Sequence, residues 1–220
     1  MKQKEEFVRS EADAWFERNK AVLLEKKFDN DIVVELIKDY QIQSNSILEV
    51  GSSAGYKLNY LKSIFPDCNA CGIDPSGKAI QFGTEKYPEL ELRQATVDDM
   101  SFFDDESFDL VIVGFVFYVV DRNLLVKSMA EIDRVLKNKG NLIILDFFSD
   151  KARRNHYAHI TSFDAFSYKH SYEQMFLATN MYQLLDKSTL DHSTRIKHAD
   201  DSYSEKIALS LLKKDINACY

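Results

Sequence analysis

Apolar residues in this chain follow two rhythms. Over residues 4–28, Val8, Ala12, Trp15, Phe16, Val22 and Leu23 fall among charges at helical spacing. Over residues 30–41, Ile32, Val33, Leu36 and Ile37 do the same behind a capping Asn30 or Asp31. Short strand-length runs then begin, at 46–50, 69–73, 90–95, 109–114 and 142–147. Between them lie helical patterns at 55–65, 76–86 and 122–137, the last ended by Lys139-Gly140. Strands alternating with helices of this length predict a parallel sheet with helices on both faces. Runs such as Val111-Ile112-Val113 and Leu142-Ile143-Ile144-Leu145 fit strands covered on both sides.

Past Asp150 the rhythm is lost. Residues 151–170 are rich in His, Tyr, Phe and Arg without a clean period, and 171–179 predict a short helix. Residues 181–191 and 204–213 predict two strands, separated by the polar stretch 192–201. No helical crossover lies between them, so they are expected to pair antiparallel at the sheet edge. The division expected is an N-terminal helical cap over residues 1–42 and a ligand-binding domain over 43–220, compact as a whole.

Composition narrows the function. The chain has 220 residues, 45% hydrophobic, and a formal charge of −7, which argues against a nucleic-acid partner because phosphate binding needs a basic face. Lys151, Arg153 and Arg154 form the one compact basic run, read as a solvated loop. The charged N-terminus lacks the apolar core of a signal peptide, and no stretch reaches membrane-spanning length, so a cytoplasmic location is expected. Cys68 and Cys71 form a C-x-x-C, but Cys71 enters an apolar run instead of opening a helix, so both are read as buried strand cysteines. His156 and His159 have the spacing of two metal ligands without a third, so no metal is expected.

The candidate chemistry sits at the ends of the predicted strands. Glu49-Val50-Gly51-Ser52-Ser53-Ala54-Gly55 places small residues where the first strand turns into a helix, so that backbone N–H groups can approach a ligand. Asp74 ends the second strand, where a carboxylate can accept hydrogen bonds from both ribose hydroxyls of a nucleoside. Taken alone this fits NAD as well as S-adenosylmethionine (SAM). Three features separate them: Tyr56 stands where a dinucleotide loop needs its third glycine; Glu49 suits a cationic sulfonium with an amino-acid tail; and Val97-Asp98-Asp99-Met100 offers an acid to the adenine amino group.

These motifs together resemble those of the class I SAM-dependent methyltransferases. The stretch Glu49 to Gly55 resembles the family's first motif, with Ser53 where glycine is usual. Gly72-Ile73-Asp74-Pro75-Ser76 resembles the second, Val97 to Met100 the third, and Phe108 to Val113 the fourth strand. Glu131 to Gly140 resembles the helix and turn before strand five. The resemblance covers about residues 45–148. It implies a doubly wound α/β fold: a mostly parallel, seven-stranded Rossmann-like sheet, its last strand antiparallel, with an N-terminal helical lid. It implies SAM as cofactor and S-adenosylhomocysteine as product. The implied cofactor contacts are Glu49, Gly51, Ser53, Gly55, Asp74, Pro75, Val97, Asp98, Asp99, Met100 and Gly114, with Trp15 and Arg18 from the lid. The opening Trp15-Phe16-Glu17-Arg18-Asn19 resembles small methyltransferases of surface-glycan pathways. Its plainer alternative is an amphipathic helix packed on the sheet.

The acceptor side is read from position alone. Phe117 and Tyr118 follow strand four, and Tyr168, Lys169 and Tyr172 form a polar-aromatic group; these are the expected substrate contacts. His170, His156 and Tyr118 are the expected catalytic groups, His159 being a further histidine of the same stretch, for an acceptor that must lose a proton. The expected reaction is methylation of oxygen or nitrogen on a small acceptor, such as a sugar or nucleotide-linked precursor of surface polysaccharide, by a monomer or homodimer. The alternatives are an RNA or protein methyltransferase, or a protein that binds SAM or S-adenosylhomocysteine without catalysis.

Overall fold

The computed structural model describes residues 2–196 and 206–217. Seven strands form one sheet in the order β3-β2-β1-β4-β5-β9-β8. They are β1 Ser46–Val50, β2 Asn69–Asp74, β3 Glu91–Gln94, β4 Phe108–Gly114, β5 Leu136–Phe147, β8 Tyr182–Asp191 and β9 Lys206–Lys214. The first five pair in parallel, while β9 runs antiparallel to both of its neighbours. The terminal pair therefore forms as its sequence predicts, except that Ser204 and Glu205 lie outside the described residues.

Alternation along the strands divides the core. Ile47, Leu110, Ile112 and Ile143 face helices α3 (Ile32–Asp39) and α4 (Tyr56–Ile64). Leu48, Val50, Val111 and Val113 face the opposite way, toward Ile132 of α6 (Leu125–Val135) and Phe176 of α7 (Glu173–Leu177). Helix α3 forms because Asp31, in extended conformation, accepts a hydrogen bond from the Val33 N–H while Val33, Val34, Leu36 and Ile37 are buried together. From β1 the chain steps outward to β2 and β3, then returns across β1 to β4. The loops leaving β1 and β4 diverge, and a crevice opens between them at the carboxyl edge.

Three segments differ from expectation. The N-terminal helix is two helices, α1 (Lys2–Glu6) and α2 (Ala12–Glu25), joined by a π-helical turn over Phe7–Glu11. The helix predicted over 122–137 is shorter: Leu136 already opposes Phe108 as the start of β5, and a bulge with Lys139 at φ +65° carries the strand onward. The stretch after β5 contains a two-stranded ribbon, β6 (Arg153–His156) against β7 (Phe166–Lys169). All of β6 is exposed, so no apolar alternation marked it. Helix α5 (Gly77–Lys86) joins β2 to β3, and a 3-10 turn over Phe117–Val119 follows β4.

Cys68 and Cys71 are buried free thiols; burial pushes that of Cys71 up to about 12. Among the described residues no helix is long and apolar enough to cross a membrane, and no group of three metal-ligating side chains is found.

Candidate cofactor and acceptor site

The loop after β1 is shaped by its neighbours. The Gly51 and Ser52 N–H groups both donate to the Ile73 carbonyl, at 2.9 and 3.0 Å, which ties the loop to the end of β2. Gly51 has φ +78°, and a Cβ there would lie 2.6 Å from Val116 Cγ2 and 2.9 Å from the Gly114 carbonyl oxygen. Only glycine meets both conditions. Gly55, at φ +76°, caps α4. Ser53 adopts φ +50°, the left-handed conformation that glycine adopts more readily.

This bend turns the Ser53 N–H toward Asp74, whose Oδ2 accepts it at 2.8 Å; Oδ1 accepts the Ser76 N–H at 2.9 Å. Asp74 is partly open to solvent, yet the protein around it pushes its carboxyl up to about 6 by desolvation. Pro75 follows, its carbonyl accepting from Gln94. Glu49 is buried at the end of β1, its Oε1 3.4 Å from Lys57 Nζ. Desolvation raises its carboxyl, and the lysine draws it back down.

After β3, Val97 and Met100 are buried in the core, and the Met100 N–H donates to Glu131. Asp98 is buried and accepts from Lys4 Nζ at 2.7 Å, whereas Asp99 is exposed and accepts from the Ser101 hydroxyl. Of the two acids, Asp98 is the one held inside the fold.

The N-terminal helices lie across the carboxyl edge. Gln3 donates to the Val119 and Phe166 carbonyls and accepts from the Phe166 N–H. Asp13 accepts from Ser76 Oγ at 2.6 Å, and Phe16 packs on Ala54 of the glycine loop. Arg18 pairs with Glu11 at 2.6 Å, and Glu11 in turn accepts from the Tyr157 hydroxyl at 3.0 Å. Trp15 is half-buried and outside the apolar clusters formed by the buried residues.

Beyond β4 and β5, Phe117 is buried against Tyr172 and Phe176, so its ring belongs to the core. Asp146, at the end of β5, accepts from the N–H groups of Val116, Tyr118 and Phe147 at 3.1, 3.3 and 2.8 Å. Burial nonetheless pushes its carboxyl up to about 7. Tyr118 meets the Phe147 ring, and burial raises its phenol. Lys169 is buried over the same Phe147 ring, and Tyr168 lies under the Arg122 guanidinium, 4.0 Å away. The Tyr172 hydroxyl donates to the Tyr168 carbonyl. His170 donates its backbone N–H to Phe147, and its Nδ1 is buried without a partner. His156 and His159 are exposed, the former on β6 facing Phe166. The structure thus gathers Tyr118, His170 and Tyr172 around the end of β5, and leaves His156 on the outer ribbon.

Residues 48–144, from β1 through most of β5, match the family model described as "Methyltransferase domain". The matched segment is 97 of the chain's 220 residues and spans the motifs that resemble those of the class I SAM-dependent methyltransferases. The demethylmenaquinone methyltransferase of Thermotoga maritima is 29% identical over 123 residues, 56% of this chain and 51% of that protein. A ubiquinone/menaquinone biosynthesis C-methyltransferase of Citrifermentans bemidjiense is 33% identical over 112 residues, 47% of this chain and 46% of that protein. The chain therefore spans about half the length of the curated relatives it matches. Among solved structures, the 1,6-didemethyltoxoflavin-N1-methyltransferase of Burkholderia thailandensis, with bound 1,6-didemethyltoxoflavin and S-adenosylhomocysteine, superposes with a TM-score of 0.67 at 11% identity. The match covers 96% of this chain and 87% of that one.

Two elements of this site escaped the sequence reading. Asp146 had a usable signal, since it follows four apolar residues next to the end of β5, much as Asp74 ends β2. The clamp of Gln3 had none, because its partners lie 116 and 163 positions away.

Proposed function

We propose that this protein transfers the methyl group of SAM to a small acceptor held at the ends of β4 and β5. The observation that carries this reading is the joint geometry of Gly51 and Asp74. A glycine that no other residue replaces lets Gly114 and Val116 of the loop after β4 pack against the loop after β1, and a carboxylate braced by two backbone N–H groups stands beside it. Each Asp74 oxygen keeps a lone pair for a ribose hydroxyl. SAM, when bound, supplies a methyl group on a cationic sulfur. The chain's part is to hold that group in line with the acceptor and to exclude water. Gly51, Ser53, Gly55 and Asp74 would hold the adenosine and sulfur, and Asp98 the adenine amino group. The N-terminal helices would close over them, and where the acceptor must lose a proton, His170 Nδ1 would take it.

The acceptor is best read from the aromatic rings of Tyr118 and Phe147. Flat aromatic surface suits a planar ring, and the relatives named for menaquinone and ubiquinone biosynthesis favour a quinone-type acceptor over the glycan precursor that the N-terminal resemblance implied. A carbon atom then joins oxygen and nitrogen as the methylated position. A second reading, methylation of RNA, draws on Arg154 over the Phe166 ring and on a 28% identical ribosomal RNA small subunit methyltransferase G of Mesoplasma florum. The acidic balance of the chain weighs against it.

Titration calorimetry with SAM, S-adenosylhomocysteine and NAD tests the cofactor; the SAM pair should bind at about micromolar Kd, roughly 8 kcal/mol, and NAD should not bind. Labelled methyl transfer to a reduced naphthoquinone, a nucleotide sugar and RNA then separates the acceptors. NAD binding without SAM binding would overturn the reading.

A further inference from the structure

Two charged atoms at the carboxyl edge are buried and lack a partner. One is Glu49 Oε2, the other Arg195 Nη1. They belong to one cluster. Glu49 alternates with Ile47 along β1, so its side chain faces α3 and α4, and Lys57 of α4 reaches its Oε1. Lys57 Nζ also lies 3.9 Å from the position a Cβ would take on Gly114, so this cation stands at the mouth of the crevice between β1 and β4. Arg195 arrives from the turn after β8. That turn is closed by the Arg195 N–H donating to the Asp191 carbonyl, and it is docked by His192, whose ring lies 5.4 Å from Phe115 and 5.1 Å from Phe147. Phe115 directly follows Gly114. Arg195 is also close enough to Asp31 and Lys57 for its charge to be felt by the first and opposed by the second.

A buried acceptor and a buried donor of opposite charge, both unsatisfied, ask for a ligand of matching polarity. An α-amino acid end has it: an ammonium group with three donors beside a carboxylate that accepts from a guanidinium fork. We propose that Arg195 holds the α-carboxylate of the SAM amino-acid tail, whose ammonium end the resemblance already places beside Glu49. This rests on the cofactor reading above, and it assigns to the β8–β9 turn a contact that the family model, ending at residue 144, does not reach. Lys57 steadies Glu49 in its charged form. Arg18 is not available for the same task in this arrangement, being paired with Glu11.

The experiment compares two ligands on Arg195→Ala and Arg195→Lys. S-adenosylhomocysteine carries the tail; 5′-methylthioadenosine has the same adenosine thioether without it. Arg195→Ala should bind S-adenosylhomocysteine at least tenfold more weakly and 5′-methylthioadenosine within twofold of the unmodified protein, with Arg195→Lys in between. Retained binding of 5′-methylthioadenosine also shows that the variant is folded. Equal weakening for both ligands, or none for S-adenosylhomocysteine, would overturn the assignment. If the unmodified protein binds neither ligand, the cofactor reading falls and this assignment with it.

Discussion

The two halves of the carboxyl edge are built in different ways. On the β1–β3 side the groups that face the crevice are set by backbone. The conformation of Gly51, the bend at Ser53 and the two N–H groups on Asp74 all come from a few residues around the ends of β1 and β2. On the β4–β5 side they are set by side chains from distant segments. Gln3 reaches Val119 and Phe166, Glu11 receives Tyr157, and Arg122 lies over Tyr168. Backbone determination gives a rigid seat with one shape, as a common cofactor requires. Side-chain determination lets the acceptor surface change without disturbing that seat.

The largest effect should come from breaking the backbone side. Gly51→Val forces a branched residue to φ +78° and drives its Cβ against Val116 and the Gly114 carbonyl. The left-handed conformation costs about 1–2 kcal/mol and the overpacking about 1–3 more. S-adenosylhomocysteine binding should fall more than 100-fold, with a clear drop in Tm. Arg154→Val, on the exposed ribbon, should change neither. Normal binding by Gly51→Val would mean that the close approach of the two loops is unnecessary.

A tenfold effect is expected at Asp74. Its carboxyl is raised to about 6 by burial, so SAM affinity should climb as pH rises through 6 and level off once the carboxylate is formed. Asp74→Asn should bind about tenfold more weakly at pH 8, or roughly 1.4 kcal/mol, and lose the dependence near pH 6. Stability runs the other way. A carboxyl with a raised folded-state pKa favours the neutral form, so its contribution is present below the unfolded value near 3.9 and is lost as pH rises through 6. Asparagine removes that slope, which denaturant titrations at pH 5 and pH 8 measure. An unchanged pH profile of binding would take Asp74 out of the site.

The same contrast explains what the sequence disclosed. Asp74, Gly51 and the strand alternation were legible because each depends on neighbours a few positions away and on the 2.0 and 3.6 periods of strand and helix. The β6–β7 ribbon was not, since every residue of β6 is exposed and nothing alternates. Nor was the start of β5, where Leu136 continues the α6 pattern but pairs with Phe108. Phe117 was read as a substrate contact because it follows strand four, and Tyr172 because it belongs to a polar-aromatic group; packing against each other places both in the core. Arg18 could be placed in a helix but not given a partner, because Glu11 and Tyr157 make that choice in three dimensions.

A smaller effect tests the side-chain half. Tyr157→Phe removes the hydroxyl that donates to Glu11 and leaves the ring against Phe7. A hydrogen bond to a charged group is worth about 1.5–3 kcal/mol. That loss should appear as faster amide exchange over residues 2–25 and a turnover lowered several-fold, with S-adenosylhomocysteine affinity within about threefold. Unchanged exchange would mean that the bond does not hold the N-terminal helices in place.

The smallest effect is also the sharpest probe of the boundary between the halves, because it asks whether Ser53 is only a backbone element. At φ +50° serine carries a strain of about 1–2 kcal/mol that glycine does not, and its Oγ is buried without a partner. Against this, glycine is more flexible in the unfolded chain, a difference of about 0.4–1 kcal/mol. Ser53→Gly should therefore stabilise the protein by about 0.5–1 kcal/mol, a Tm rise of roughly 1–4 °C at this chain length. If Ser53 acts only through its backbone, S-adenosylhomocysteine affinity stays within twofold, since the N–H on Asp74 is retained. A variant that gains stability but loses affinity several-fold would show the hydroxyl to be a ligand contact. The strain at φ +50° would then be tolerated for the side chain's sake, and the seat on this side would no longer be set by backbone alone.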